Sequence, residues 1–245
     1  MKTAIGIDIG GTNTKIGIVR EDSTLLSFDT IPTESSQPFD QFLIRLKPTL
    51  DALLKKNNLL NKDIFAVGVG CPSVDARNGL LISPPNLGWR NLQIQKLLSE
   101  SLPWRVELEN DANVAAIGEK HWGVARGMED FVVVTLGTGI GTGIFSGGKL
   151  LVGFNGRAGE GGHLTIEPSG RLCHCGKRGH LECYTSVRGI KETVKEEMNL
   201  DLSFKEIRSN YLSGDAGFIQ VFEKTAEYLA RGLAEMSAIL APEAF

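Results

Sequence analysis

Long apolar runs are missing from this sequence. None approaches the roughly 18 residues that a membrane-crossing helix needs, so no membrane partner is expected. An excess of positive charge is missing too: Lys and Arg total 26 against 29 Asp and Glu, for a net charge of −3. The basic pairs Lys55-Lys56 and Lys177-Arg178 are too short to track a phosphate backbone, so nucleic acid is not expected either. Cysteine is scarce, with four in 245 residues, and three of them fall between positions 173 and 183. That clustering fits a metal site better than a disulfide framework. The fourth, Cys71, reads as a small buried hydrophobe. Met1 and Lys2 lead straight into a β-branched run, with no leader-like apolar segment. The expectation is a soluble, cytoplasmic chain, long enough for one large or two modest domains.

Glycine, by contrast, is plentiful. The 29 glycines concentrate at 6–17, 137–148 and 153–179, three places where backbone can approach a small molecule closely. The first cluster follows a strand-like run, Thr3 to Ile9, turns at Gly10-Gly11-Thr12 and enters a second strand over 15–20. Amide N–H groups exposed by such a turn can bind phosphate oxygens, with Thr12 and Asn13 adding side-chain donors and Asp8 placed to hold Mg²⁺ through water. A plain β-hairpin tip is the alternative. The second cluster, LGTGIGTGI over 136–144, repeats strand, turn and strand, and Gly137, Thr138, Gly139 and Gly141 become phosphate-binding candidates. Neither run opens into a helix, as a Walker A loop or a dinucleotide fingerprint would. Two such loops predict a triphosphate held in a cleft between two α/β lobes, placed at 1–120 and 121–245.

Between the loops lies LENDANVAA, over 108–116. Asp111 follows a strand and opens a helix, so its carboxylate can take a proton from an attacking hydroxyl; an ordinary helix N-cap is the competing reading. In the third cluster, GEGGHLTIEPSGRLCHCGKRGHLE over 159–182, His163, Cys173, Cys175 and His180 have the number and type of ligands for one tetrahedral Zn²⁺. A reduced-thiol loop without metal is the alternative, and Cys183 rivals His180 as a ligand. His174 is expected to point away from its cysteine neighbours and to be exposed. Glu160 and Glu182 flank the set, available for something polar.

Elsewhere, apolar spacing predicts a helix over 39–57, kinked or divided at Pro48. It also predicts a strand over 64–70, a helix over 93–101 and a strand over 105–108. FVVVTL, over 131–136, reads as a strand covered on both faces, followed by antiparallel strands over 141–145 and 149–152. Helices are predicted over 185–198, 204–212 and 215–240.

The two glycine turns, NDAN, and GEGGH…CHCGKRGHLE, in this order, resemble the ROK family of bacterial sugar kinases and regulators, within the hexokinase–actin superfamily. The likeness runs from Ile5 to about Ser186. It implies a two-lobed, actin-like ATPase fold of the ribonuclease H-like type. It also implies Asp111 as general base, and Asn86 (in PPNLGW), Asn110, Glu160, His163 and Glu182 as residues that meet sugar hydroxyls, His163 also ligating zinc. His180 stands where the family usually has cysteine, and Ser73 where it usually has glycine. The implied reaction is transfer of the γ-phosphoryl of Mg·ATP to a hexose, glucose first among N-acetylglucosamine, N-acetylmannosamine, mannose, fructose and allose, with polyphosphate an alternative donor. A homodimer is expected by the same likeness. Family regulators carry a helix-turn-helix ahead of the first turn, and none fits before Thr3. Relatives continue past the position of Phe245 into a strand, a Gly-Gly turn and a helix, so the second lobe is expected to be incomplete, and a sugar-binding protein without catalysis is the alternative.

Overall fold

The computed structural model describes residues 1–84 and 86–245. By internal contacts the chain forms two compact units, Met1–Val114 with Val152–Arg157, and Ala115–Leu151 with Ala158–Phe245.

The first unit is built on a five-stranded sheet. β1 (Thr3–Ile9) pairs antiparallel with β2 (Asn13–Arg20), which pairs antiparallel with β3 (Leu25–Pro32). On its other side β1 pairs parallel with β4 (Ile64–Cys71), and β4 pairs parallel with β7 (Val106–Asn110). Alternation drives the buried face: Ile5, Ile7 and Ile9 of β1 and Ile16 and Ile18 of β2 are enclosed, while Gly6 and Asp8 face out. The core is completed by α1 (Phe39–Lys56), through Phe42, Leu46, Leu50, Leu53 and Leu54, and by Ile94 and Leu98 of α2 (Ile94–Ser101). A short hairpin of β5 (Val74–Asp75) and β6 (Leu80–Leu81) lies between β4 and α2 in the chain.

Two expectations change here. Of the kink or division expected at Pro48, the division is absent, and α1 runs through as one helix. Proline has no N–H to donate to the Ile44 carbonyl, and Ile44 is exposed. β3 has no counterpart in the sequence reading. It is an edge strand with only Ser27 and Ile31 buried, so it lacks the alternation by which a half-buried strand is recognised.

The second unit holds a three-stranded antiparallel sheet of β8 (Phe131–Leu136), β9 (Ile140–Ser146) and β10 (Lys149–Leu150), with β9 central. β8 is buried at Phe131 and Val132 but exposed by Leu136, so the two-sided cover expected of FVVVTL is present only at its start. α3 (Asp111–Trp122) leads into this unit, and α4 (Glu182–Thr185), α5 (Val187–Met198), α6 (Phe204–Leu212) and α7 (Ala216–Leu240) follow the sheet. The helix expected over 185–198 begins at Val187, because the Ser186 side chain accepts the Gly189 N–H and caps it. Asp215 does the same for α7, accepting from Gly217 and Phe218. Among the described residues no helix is long and apolar enough to cross a membrane.

Candidate functional site

In the first unit, three parallel strands bring their carboxyl ends to one edge. Register places Asp8 beside Gly70, and Cys71 beside Asn110, so Asp8, Cys71 and the start of α3 share the rim where α/β sheets bind ligands. Burial pushes the Cys71 thiol up, and the charges of Asp111 and Asp8 push it further. The capping task at α3 belongs to Asn110, whose Oδ1 accepts from Ala112 N–H at 2.9 Å and Asn113 N–H at 3.3 Å. Asp111 is thereby the first helical residue, exposed, with Oδ1 accepting from Ala112 N–H at 3.0 Å. Glu109, which the sequence reading passed over, accepts from Asn113 Nδ2 at 2.9 Å and Asn110 N–H at 2.8 Å and stiffens this corner. Its signal was the acid–amide spacing of four within LENDAN.

The Gly10-Gly11 turn is held from below by Thr33, just past β3. Its Oγ1 donates to the Gly10 carbonyl at 2.7 Å and its N–H to the Thr12 carbonyl at 2.9 Å. Missing β3 in the sequence meant missing Thr33. Gly10 N–H closes the turn on the Asn13 carbonyl at 3.1 Å. A Cβ on Gly11 would lie 2.7 Å from the Asn86 carbonyl oxygen, so the sequence-distant Asn86 packs directly on the turn. Trp89 anchors that loop: its indole N–H donates to the Gln37 carbonyl at 2.7 Å, and its ring meets Phe39 edge-on at 4.9 Å. Thr12 and Asn13 are exposed, and Asp8 forms an ion pair with Lys15 at 3.6 Å, both about half exposed. Such a pair contributes little and does not bar a cation from Asp8.

In the second unit the Gly137–Gly139 turn joins β8 to β9. Gly137 N–H donates to the Gly139 carbonyl at 3.0 Å, and Val187 N–H donates to the Gly137 carbonyl at 2.9 Å. Thr138 is exposed at the tip. Gly141 lies past the turn, inside the ladder opposite Thr135.

The Cys/His loop is organised by backbone turns rather than regular structure. Cys173 N–H donates to the Lys177 carbonyl and Gly176 N–H to the Cys173 carbonyl, forming a tight knuckle. His163, Cys173, Cys175 and His180 have ligand atoms all within 4.8 Å of one another, a group that could hold a metal ion. His163 Nδ1 and His180 Nδ1 are 3.0 Å apart, Cys175 Sγ is 3.4 Å from His180 Nδ1, and Cys173 Sγ is 3.9 Å from His163 Nδ1. The edges of a tetrahedron with zinc-length bonds are about 3.3–3.6 Å for these atoms. Burial, then the neighbouring His163, hold His180 below the usual imidazole range, keeping the neutral form whose lone pair a metal takes. Cys183 lies outside the group, packed with Tyr184, Ile166 and Tyr228, so His180 is the fourth member.

His163 presents two faces: Nδ1 points to the cysteines, and Nε2 lies 3.9 Å from the half-exposed Glu160 carboxylate. His174 is exposed, yet it does not point away. Its Nδ1 is 3.7 Å from Cys173 Sγ and 3.1 Å from Glu182 Oε1, because the knuckle bends a segment that alternation had treated as extended. Glu182 is buried, and its Oε2 accepts from Ile140 N–H at 3.0 Å.

Comparison with known proteins fits these features. The sequence pattern of the ROK family matches residues 4–245. A glucokinase of Halalkalibacterium halodurans is 32% identical over 98% of this chain and 77% of its own length. The crystal structure of a ROK family glucokinase from Streptomyces griseus, in complex with glucose and AMPPNP, superposes with a TM-score of 0.84 at 30% identity, covering 99% of this chain and 81% of that one. A xylose repressor of Bacillus subtilis is 29% identical over 74% of this chain and 47% of its own length. The fold is thus the actin-like ATPase fold of these kinases, over a chain about four fifths as long as theirs. The chain belongs to the ROK family.

Proposed function

We propose that this protein is an ATP-dependent sugar kinase that phosphorylates a hexose hydroxyl, with glucose the first candidate. The observation that carries the reading is the rim of the first sheet. There Asn110 takes the helix cap and Asp111, which follows β7, opens α3 at the same edge of the parallel sheet as Asp8 of β1.

In this reading Asp111 accepts the proton of the attacking hydroxyl as the γ-phosphoryl group transfers in line. Asn86, Asn110, Glu160, His163 and Glu182 orient the sugar through its other hydroxyls. The N–H groups at Gly10–Asn13 and Gly137–Gly139 receive phosphate oxygens. Mg²⁺, held through Asp8, would neutralise charge on the nucleotide's phosphates. The donor set and spacing of His163, Cys173, Cys175 and His180 fit zinc, which would stiffen the loop that carries Glu160 and His163.

The test is an assay across a hexose panel that reads ADP release with ATP as donor and sugar phosphate formation with either ATP or polyphosphate. Sugar-dependent ADP release is expected, strongest with glucose. The similarity to a repressor supports a second reading, sugar binding without phosphoryl transfer. Calorimetric sugar binding with no ADP and no phosphorylated sugar from either donor would favour it.

A further inference from the structure

Thr33 is fully buried, and two of its groups bond to the first glycine turn. Its hydroxyl carries one proton, which goes to the Gly10 carbonyl at 2.7 Å. The 2.9 Å contact with Thr14 Oγ1, also buried, therefore has Thr14 as donor. Thr33 N–H takes the Thr12 carbonyl at 2.9 Å. Thr33 is itself pinned by α1: Arg45 Nη2 donates to the Thr33 carbonyl at 2.9 Å, and Arg45 Nη1 pairs with Glu34 at 3.1 Å. Two carbonyls of the turn are thus drawn to one residue.

That grip changes how the hairpin closes. A two-residue hairpin ordinarily closes with a reciprocal pair of bonds between the residues flanking its tip, here Gly10 and Asn13. Only half of the pair is made. Gly10 N–H donates to the Asn13 carbonyl at 3.1 Å, but among the described residues no bond runs from Asn13 N–H to the Gly10 carbonyl, which Thr33 holds. Nor do the Gly11 and Thr12 N–H groups have a partner among the described residues. The described peptide bonds are all trans, so each carbonyl points opposite to the N–H that follows it. Drawing the Gly10 and Thr12 carbonyls to Thr33 turns the Gly11 and Asn13 N–H groups away from it.

We infer that Thr33 is a positioning residue for the nucleotide: its hydroxyl occupies the acceptor that would otherwise close the hairpin, and so keeps the Asn13 amide open, with those of Gly11 and Thr12, to a phosphate oxygen. The inference rests on the kinase reading above. Donors held free in advance do not have to be released from protein partners when phosphate binds.

Amide hydrogen exchange in the free full-length chain, and calorimetric titration with Mg·AMPPNP and glucose as separate probes, test it. Thr33→Val keeps the shape of the side chain and leaves the Gly10 carbonyl for the Asn13 N–H. Exchange at Asn13 should then slow by about tenfold, and Mg·AMPPNP affinity should fall by about tenfold, the usual cost of one hydrogen bond to a charged group. Glucose affinity should stay within about twofold of wild type, because the Asn86 loop is anchored separately, by Gly88 N–H on Ser35 Oγ at 3.0 Å and by Trp89 on the Gln37 carbonyl. Thr33→Ser returns the hydroxyl and should bring both readouts to within about threefold of wild type. Should Thr33→Val fail to fold because the Thr14 hydroxyl loses its acceptor, the double variant Thr14→Val/Thr33→Val removes both partners and carries the test. A merely structural role predicts the opposite sign, faster exchange over the turn with both ligands weakened together. That result, unchanged exchange at Asn13, or unchanged nucleotide affinity would each overturn the inference. A wild-type chain that binds glucose but no nucleotide would remove the kinase reading itself, a result visible before any variant is made.

Discussion

The rim of the first sheet and the Cys/His loop of the second unit reach chemical order by opposite routes. At the rim, Asp8, Asn110 and Asp111 are placed by backbone register: parallel ladders with enclosed apolar faces fix where each strand ends. In the loop, order comes from local backbone turns that gather the Cys and His side chains, since 159–181 contains one short 3₁₀ turn, a knuckle and isolated bridges. A sheet rim withstands loss of a functional side chain because its ladders remain. With the proposed zinc in place, a loop tied by four donor atoms would lose those ties when one donor is removed.

The largest test of that contrast is Asp111→Asn. Turnover should fall by about 10² to 10⁴ while the melting temperature and glucose affinity stay near wild type, read by ADP release, thermal melting and calorimetry. A large loss of stability would make Asp111 part of the scaffold and break the comparison. Next is the metal. About one zinc per chain is expected by elemental analysis in freshly purified protein, on the tetrahedral donor set. Cys175→Ser should abolish it, with hydrogen-exchange protection lost over 159–182 and kept in β1 and β4. Burial holds the unmetallated Cys173 thiol up at about 12, so binding must displace its proton and lower pH must weaken zinc affinity; a pH-independent affinity would mean that a thiolate is not a ligand.

A smaller effect comes from Gly11→Ala, whose Cβ would strike the Asn86 carbonyl. A destabilisation of about 1–3 kcal/mol is expected in chemical denaturation, with zinc content unchanged. The smallest is Ser73→Gly. Ser73 adopts φ +55°, left-handed backbone that favours glycine and costs other residues about 1–2 kcal/mol. Relief of that strain, offset by glycine's looser unfolded chain, should stabilise by up to about 1 kcal/mol. Its departure from the residue usual in the family thus has a conformational cost at a defined point.

Much of the frame is readable from the chain. Alternating isoleucines mark β1 and β2, a helical apolar stripe marks α1, and the glycine turns lie between strands as their composition implies. Hidden features share a physical cause. β3 is an edge with little burial, and Thr33 beneath the Gly10 turn goes unnoticed with it. Pro48 stays within a helix, with the residue whose carbonyl it leaves without a donor, Ile44, exposed. His174 turns inward because the knuckle ends the alternation.

By itself, the sequence determined most element types, the two glycine turns and a Cys/His cluster with zinc-like composition, since these follow from local periodicity, backbone freedom and ligand chemistry. Only the tertiary structure decided that Asn110 rather than Asp111 caps α3, that His180 rather than Cys183 joins the donor group, and that Glu182 lies against the Gly139 turn. Each of those choices depends on which atoms come within about 3 Å of one another, and pairing at that range between distant segments is set by packing, not by neighbours in the chain.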